Sequence, residues 1–115
     1  MALTLRLIKA GIPPPSGCFL IYPYLTISSS LTSPSLIRSL DDPFIPYELR
    51  KMHHKLYIPD NFKPLEDPFL SPLIASDEFL EKMPPIRIMF GTNDPVHDDI
   101  WRFVYRLLYY FSLFM

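Results

Sequence analysis

The residues best placed to do chemistry stand together in Phe90-Gly91-Thr92-Asn93-Asp94-Pro95-Val96-His97-Asp98-Asp99. Ahead of Gly91, the apolar run Ile86-Arg87-Ile88-Met89-Phe90 reads as a buried strand. Asp94 then falls at the carboxyl end of a strand, where open α/β sheets carry their ligands and catalytic groups. A carboxylate there can accept the N–H of a catalytic histidine, fix its tautomer and stabilise the imidazolium that forms when a serine is deprotonated. Asn-Asp-Pro is also ordinary turn chemistry, in which Asp94 folds back onto its own backbone as an Asx-turn. Spacing alone leaves both roles open.

No second catalytic partner is legible. His97 lies three residues from Asp94, within the same turn. His53 and His54 are adjacent, so on a helix their side chains diverge rather than converge on one metal. Ser16 and Ser71 have no base at a predictable distance, which leaves neither supported as a nucleophile. Asp98 is read as structural, holding the turn or capping the next helix. Tyr22, Tyr24, Phe44, Tyr47, Tyr57 and Phe69 could line a pocket, although aromatic residues in a proline-rich stretch more often pack. No metal and no cofactor are expected.

The elements that must position Asp94 follow from periodicity and breakers. Met1 to Ala10 spells a helix, with Leu5 and Ile8 three apart and Leu3 and Leu7 four apart. Gly11 is its left-handed cap, and Pro13-Pro14-Pro15 forbids continuation. Cys18 to Tyr22 reads as a strand buried on both faces, with Cys18 as core packing. Of the 14 prolines, ten fall between residues 23 and 85, which allows only short helices and extended turns in that connection. Glu48 to Tyr57 is its best helical stretch, and Ser76 can cap a short helix through Glu81. Ser28-Ser29-Ser30 reads as loop. After the second strand, Asp98 or Asp99 can cap a helix whose apolar face carries Trp101, Val104, Tyr105 and Leu108. Two strands with helical flanks predict a parallel α/β sheet.

The stretch Asp67-Pro68-Phe69-Leu70-Ser71-Pro72-Leu73-Ile74-Ala75-Ser76-Asp77-Glu78, then Met83-Pro84-Pro85-Ile86-Arg87-Ile88, then Asp94-Pro95-Val96-His97-Asp98-Asp99 resembles the hormone-sensitive-lipase branch of the α/β-hydrolase superfamily. In that family a Ser-Pro-Leu segment precedes a proline-led strand that ends in an Asp-Pro-Leu-type motif, whose first aspartate is the triad acid. Carried over, that aspartate is Asp94. Met1 to Ala10 resembles the second half of the helix after the nucleophile elbow, and Gly17 to Tyr24 the next strand. The resemblance implies part of an α/β-hydrolase fold over 1–115, with 23–85 as the connection between strands and 103–115 as an atypical apolar terminus. It implies carboxylic ester or lipid hydrolysis through a serine acyl-enzyme in the complete parent protein, with an ester or lipid as substrate.

The departures define a further expectation. Gly11, Gly17 and Gly91 are the only glycines, so no Gly-x-Ser-x-Gly elbow and no His-Gly-Gly segment exists here. The family order of serine, acid, histidine places the elbow before Met1 and the histidine beyond Met115, as in a truncated reading frame or a shortened product. Alone, the chain would supply only the triad acid. The alternative is a non-catalytic interaction module that associates through apolar surface.

Composition narrows the class. With 49% hydrophobic and 20% charged residues, the 115-residue chain has globular rather than disordered composition. A net charge of -1 from interspersed charges leaves no basic face for nucleic acid. Arg6 and Lys9 interrupt the first apolar stretch, which therefore does not read as a signal peptide. Phe103 to Met115 is too short to span a bilayer, so membrane contact is at most peripheral. One cysteine, Cys18, excludes a disulfide framework, and a cytoplasmic location is expected.

Overall fold

Two short strands carry the architecture. In the computed structural model, which describes residues 1–27 and 33–113, β1 (Cys18–Ile21) pairs in parallel with β2 (Ile86–Met89). Cys18 lies opposite Ile86, and Ile21 opposite Met89. Around them run α1 (Ala2–Lys9), α2 (Pro34–Arg38), α3 (Tyr47–Tyr57), a 3₁₀ turn (Pro72–Ile74), α4 (Asp77–Glu81) and α5 (His97–Leu113). Side chains beyond Tyr110, and the expected Ser28-Ser29-Ser30 loop, lie outside the described residues.

The ends of these elements follow local rules. Gly11, at φ 69°, ends α1 in a Schellman motif: its N–H donates to Ile8 C=O at 3.1 Å, and Ile12 N–H to Leu7 C=O at 3.0 Å. No side chain caps the start of α1. At α2 the Ser33 hydroxyl accepts from Leu36 N–H, and Pro34 at the first position has no N–H to satisfy. α4 follows Ser76, as expected, but it is the Ser76 carbonyl and not its hydroxyl that receives Phe79 N–H and Leu80 N–H. α3 starts at Tyr47, one residue ahead of the expected stretch.

One core holds the elements together. Leu5, Leu25, Leu80, Ile100 and Phe103 are fully enclosed, and Ile86, Ile88 and Phe90 of the second strand region pack against them. Burying a side chain such as Phe103 contributes about 2 to 3 kcal/mol. Arg106 on α5 ties in the proline-rich connection by donating to the carbonyls of Leu73 and Ala75 and to Asp77 Oδ1. The Ser71 hydroxyl, fully buried, accepts Ile27 N–H at 3.0 Å, while Leu73 N–H donates to Leu25 C=O at 2.8 Å. The Ser-Pro-Leu segment is therefore a brace along the chain that leaves β1.

Three expectations change. The strands are covered on one face only: Phe19 is 63% exposed, Ile21 56% and Met89 47%, because α1, α4 and α5 pack on the side of Ile86 and Ile88. The buried stripe of α5 is Ile100, Phe103 and Leu107, whereas Trp101, Tyr105 and Leu108 face outward. Two apolar stripes overlap on this helix, and the stripe continuing from buried Val96 is the one that meets the core. Finally, α5 begins at His97, so Asp98 and Asp99 lie in its first turn rather than capping it. Among the described residues, no helix is long and apolar enough to cross a membrane.

Candidate active site

Asp94 stands in the turn between β2 and α5, half-buried. Its Oδ1 accepts Val96 N–H at 2.9 Å, the Asx-turn geometry, and its carbonyl accepts His97 N–H at 3.0 Å. Oδ2 has no hydrogen-bond partner among the described residues. Asp98 does something different. Its Oδ2 accepts Ser35 N–H at 2.8 Å, and its own N–H donates to Ser35 Oγ at 3.3 Å. Ser35 Oγ also donates to Pro95 C=O at 3.0 Å. Asp98 thus caps α2, 63 residues earlier, and pins the Asp94 turn to it. The expectation of a structural Asp98 holds, but it caps α2 rather than α5.

Asp94 opens onto a cavity of about 1050 Å³ lined by both strand ends, α3 and the proline-rich connection. Tyr22, Tyr24, Phe44, Tyr57 and Phe69 all line it, so these aromatics do more than pack; Tyr47 is the exception. Tyr22 follows β1 at φ 46°, a conformation that is strained for a bulky side chain and that leaves Tyr22 outside the strand. Such strain gathers at functional sites, and the sequence carried no signal of it.

The histidines separate. His97 Nε2 accepts the Trp101 indole N–H at 3.0 Å, with the ring edge-on to Phe90, while its Nδ1 is buried without a partner. His54 Nε2 lies 2.6 Å from the Tyr24 hydroxyl, and burial, then the charges of Arg50 and His53, lower its pKa below the usual histidine range. His53 and His54, adjacent on α3, both line the cavity. No serine among the described residues is hydrogen-bonded to a histidine. Cys18 is half-buried, with its Sγ 3.6 Å from Thr4 Oγ1 between β1 and α1. Among the described residues, no group of three or more His, Cys, Asp or Glu gathers to hold a metal.

A family model described as the alpha/beta hydrolase fold matches residues 1–109. The chain belongs to this family. Within it, the likeness is to hormone-sensitive-lipase-like esterases. An esterase of Acinetobacter venetianus is 35% identical over 104 residues, covering 90% of this chain and 32% of that protein. A hormone-sensitive lipase of Ictidomys tridecemlineatus is 42% identical over 43 residues, covering 37% of this chain and 6% of the lipase. In structure, this hydrolase-fold chain is similar to carboxyl esterase 2 of the mycorrhizal fungus Tuber melanosporum, with a TM-score of 0.84 and 28% identity over 95% of this chain and 35% of that one. The chain spans about a third of the length of the two esterases.

Proposed function

We propose that this chain is the acid-bearing part of a carboxylic ester or lipid hydrolase, in which Asp94 is the acid of a Ser-His-Asp triad. The observation that carries the reading is the division of labour between two neighbouring carboxylates. Asp98 holds Ser35 N–H through Oδ2 and does not line the cavity, whereas Asp94 lines it, with Oδ1 fixed in its own turn and Oδ2 without a partner among the described residues. An Asx-turn and a triad role are compatible, because the turn clamps Oδ1 and leaves Oδ2 to accept an imidazole N–H. The cavity walls, largely aromatic and aliphatic, suit the hydrocarbon part of an ester.

Among the described residues there is no nucleophile–base pair, and alone the chain should neither hydrolyse p-nitrophenyl esters nor label with a fluorophosphonate. The decisive experiment grafts residues 1–109 in place of the matching third of the Acinetobacter venetianus esterase. The chimaera should turn over a soluble ester, and Asp94→Asn should lower kcat about 10⁴-fold while the fold persists, because an amide holds the wrong imidazole tautomer. An Asp94→Asn chimaera with kcat intact, or fluorophosphonate labelling of the isolated chain, would refute the assignment. The exposed sheet face of Phe19, Ile21 and Met89 favours a second reading, association as a non-catalytic module. A chimaera that folds but is inactive even with Asp94 in place would support it.

A further inference from the structure

The wall of the cavity formed by α3 is chemically unlike a hydrocarbon slot. Arg50, His53, His54 and Tyr57 fall at helical spacings of three, four and seven, and all four line the cavity. Across from them, Tyr24 holds the cluster together. Arg50 Nη2 donates to the Tyr24 hydroxyl at 2.7 Å, and the guanidinium lies 5.4 Å from the Tyr24 ring centroid. The Tyr24 hydroxyl also lies 2.6 Å from His54 Nε2, whose imidazole pKa is lowered by burial, then by the charges of Arg50 and His53. The Tyr24 hydroxyl thus joins Arg50 to His54.

That arrangement leaves a positive charge without an anion. Arg50 Nη1 is enclosed and has no hydrogen-bond partner, and no carboxylate among the described residues lies within ion-pair distance of Arg50. Neither of the two carboxylates that line the same cavity pairs with it. Asp42 Oδ1 accepts the N–H groups of Phe44 and Ile45, at 2.9 and 2.8 Å, and Asp94 Oδ1 that of Val96. Asp99 on α5 feels the Arg50 charge but has its ion pair with Arg102 at 3.4 Å. A half-buried guanidinium whose hydrogen-bond acceptor is a phenol carries a desolvation cost that an anion would relieve.

We propose that Arg50, on the wall it shares with Tyr24 and His54, binds the carboxylate of a linear aliphatic acid, whose chain lies along the apolar part of the cavity. Guanidinium recognises carboxylate through paired N–H donors, and Arg50 has donor capacity left once Tyr24 is served. Phe19, Ile21 and Phe69, which line the same cavity, receive the hydrocarbon. The inference does not require Asp94 to act as a triad acid, since it concerns binding rather than turnover.

Octanoate and 1-octanol, matched in chain length and differing in charge, are the probes, titrated calorimetrically into the 115-residue chain. Octanoate should bind at least about tenfold more tightly than octanol. Arg50→Gln should abolish that preference and leave octanol binding unchanged. Tyr24→Phe removes the hydroxyl that accepts from Arg50 but keeps the ring, and there the preference for octanoate should persist. Should Arg50→Gln lose both ligands through collapse of the wall, Arg50→Lys, which keeps the charge, must retain a preference for octanoate. The proposal fails if the parent chain binds octanoate no better than octanol or not at all. It fails equally if Arg50→Gln keeps the preference, or if Tyr24→Phe or Arg50→Lys loses it.

Discussion

Removing the Asp98 carboxylate tests whether α2 and the Asp94 turn are one unit. In Asp98→Ala, Ser35 N–H loses its acceptor at 2.8 Å. Ser35 is buried, so no water replaces it readily, and the lost bond is charge-assisted. Bonds of that kind are worth about 1.5 to 3 kcal/mol, and an unsatisfied buried donor costs a similar amount. The remaining start of α2 is already satisfied: Pro34 has no N–H, Leu36 N–H reaches Ser33 Oγ, and Ile37 N–H reaches Ser33 C=O. No spare acceptor can take over, and a loss of about 2 kcal/mol is expected. In urea this lowers the unfolding midpoint by about 1 M for a chain of this size. Asp98→Asn keeps an oxygen acceptor without the charge and should cost about 1 kcal/mol. Chemical denaturation of the three proteins, followed by far-ultraviolet circular dichroism, reads both differences. If Asp98→Ala unfolds within 0.2 M of the parent (about 0.4 kcal/mol), or if Asp98→Asn is the more damaging, the reasoning fails.

Two other outcomes are expected. Gly11→Ala places a side chain at φ 69° and should destabilise by about 1 kcal/mol, read as a lower melting midpoint; no change would mean that the Schellman turn is not kept in solution. Burial raises the Asp99 pKa above its ordinary 3.8, against the charge of Arg102, so the native state favours the protonated acid. Its contribution is fully present below the unfolded value and is lost as pH rises through the native one. The stability of Asp99→Asn relative to the parent should therefore increase from acid pH toward neutrality; a difference that stays constant or shrinks contradicts the assignment.

The parts of this fold legible in the sequence are those fixed by neighbours along the chain. Gly11 before a proline triplet specified the end of α1, and the apolar runs bounded by glycine and proline specified both strands, because a backbone that must turn leaves a local trace. The same holds for Asp94, since a strand followed by Asn-Asp-Pro fixes where the carboxylate stands, though not what it meets. Ser33-Pro34 was also a local trace, a cap followed by a proline at the first helical position, and it marked α2 without being read as a helix start. Which apolar stripe of α5 is buried depended on α1 and α4, and periodicity weighs both stripes alike. Covering of only one sheet face was likewise a matter of which helices pack where, since an apolar run reads the same whether or not its second face is covered.

The cavity wall marks the limit of sequence reading. Tyr24 and Arg50 are 26 residues apart and Tyr24 and His54 are 30 apart, with the proline-rich connection between them. Adjacent histidines on a helix are poorly placed to share one metal, but the helix alone does not show what faces them. What the sequence did contain was a polar face on α3: Arg50, His53, His54 and Tyr57 recur at helical spacing, and none of that helix is buried. A polar helical face ordinarily meets solvent. Here the extended chain leaving β1, with Leu25 held in the core and Ser71 accepting Ile27 N–H, sets Tyr24 against that face. The charge on Arg50 consequently becomes a property of the cavity rather than of the surface, and it follows from the brace along residues 25–27 as much as from Arg50 itself.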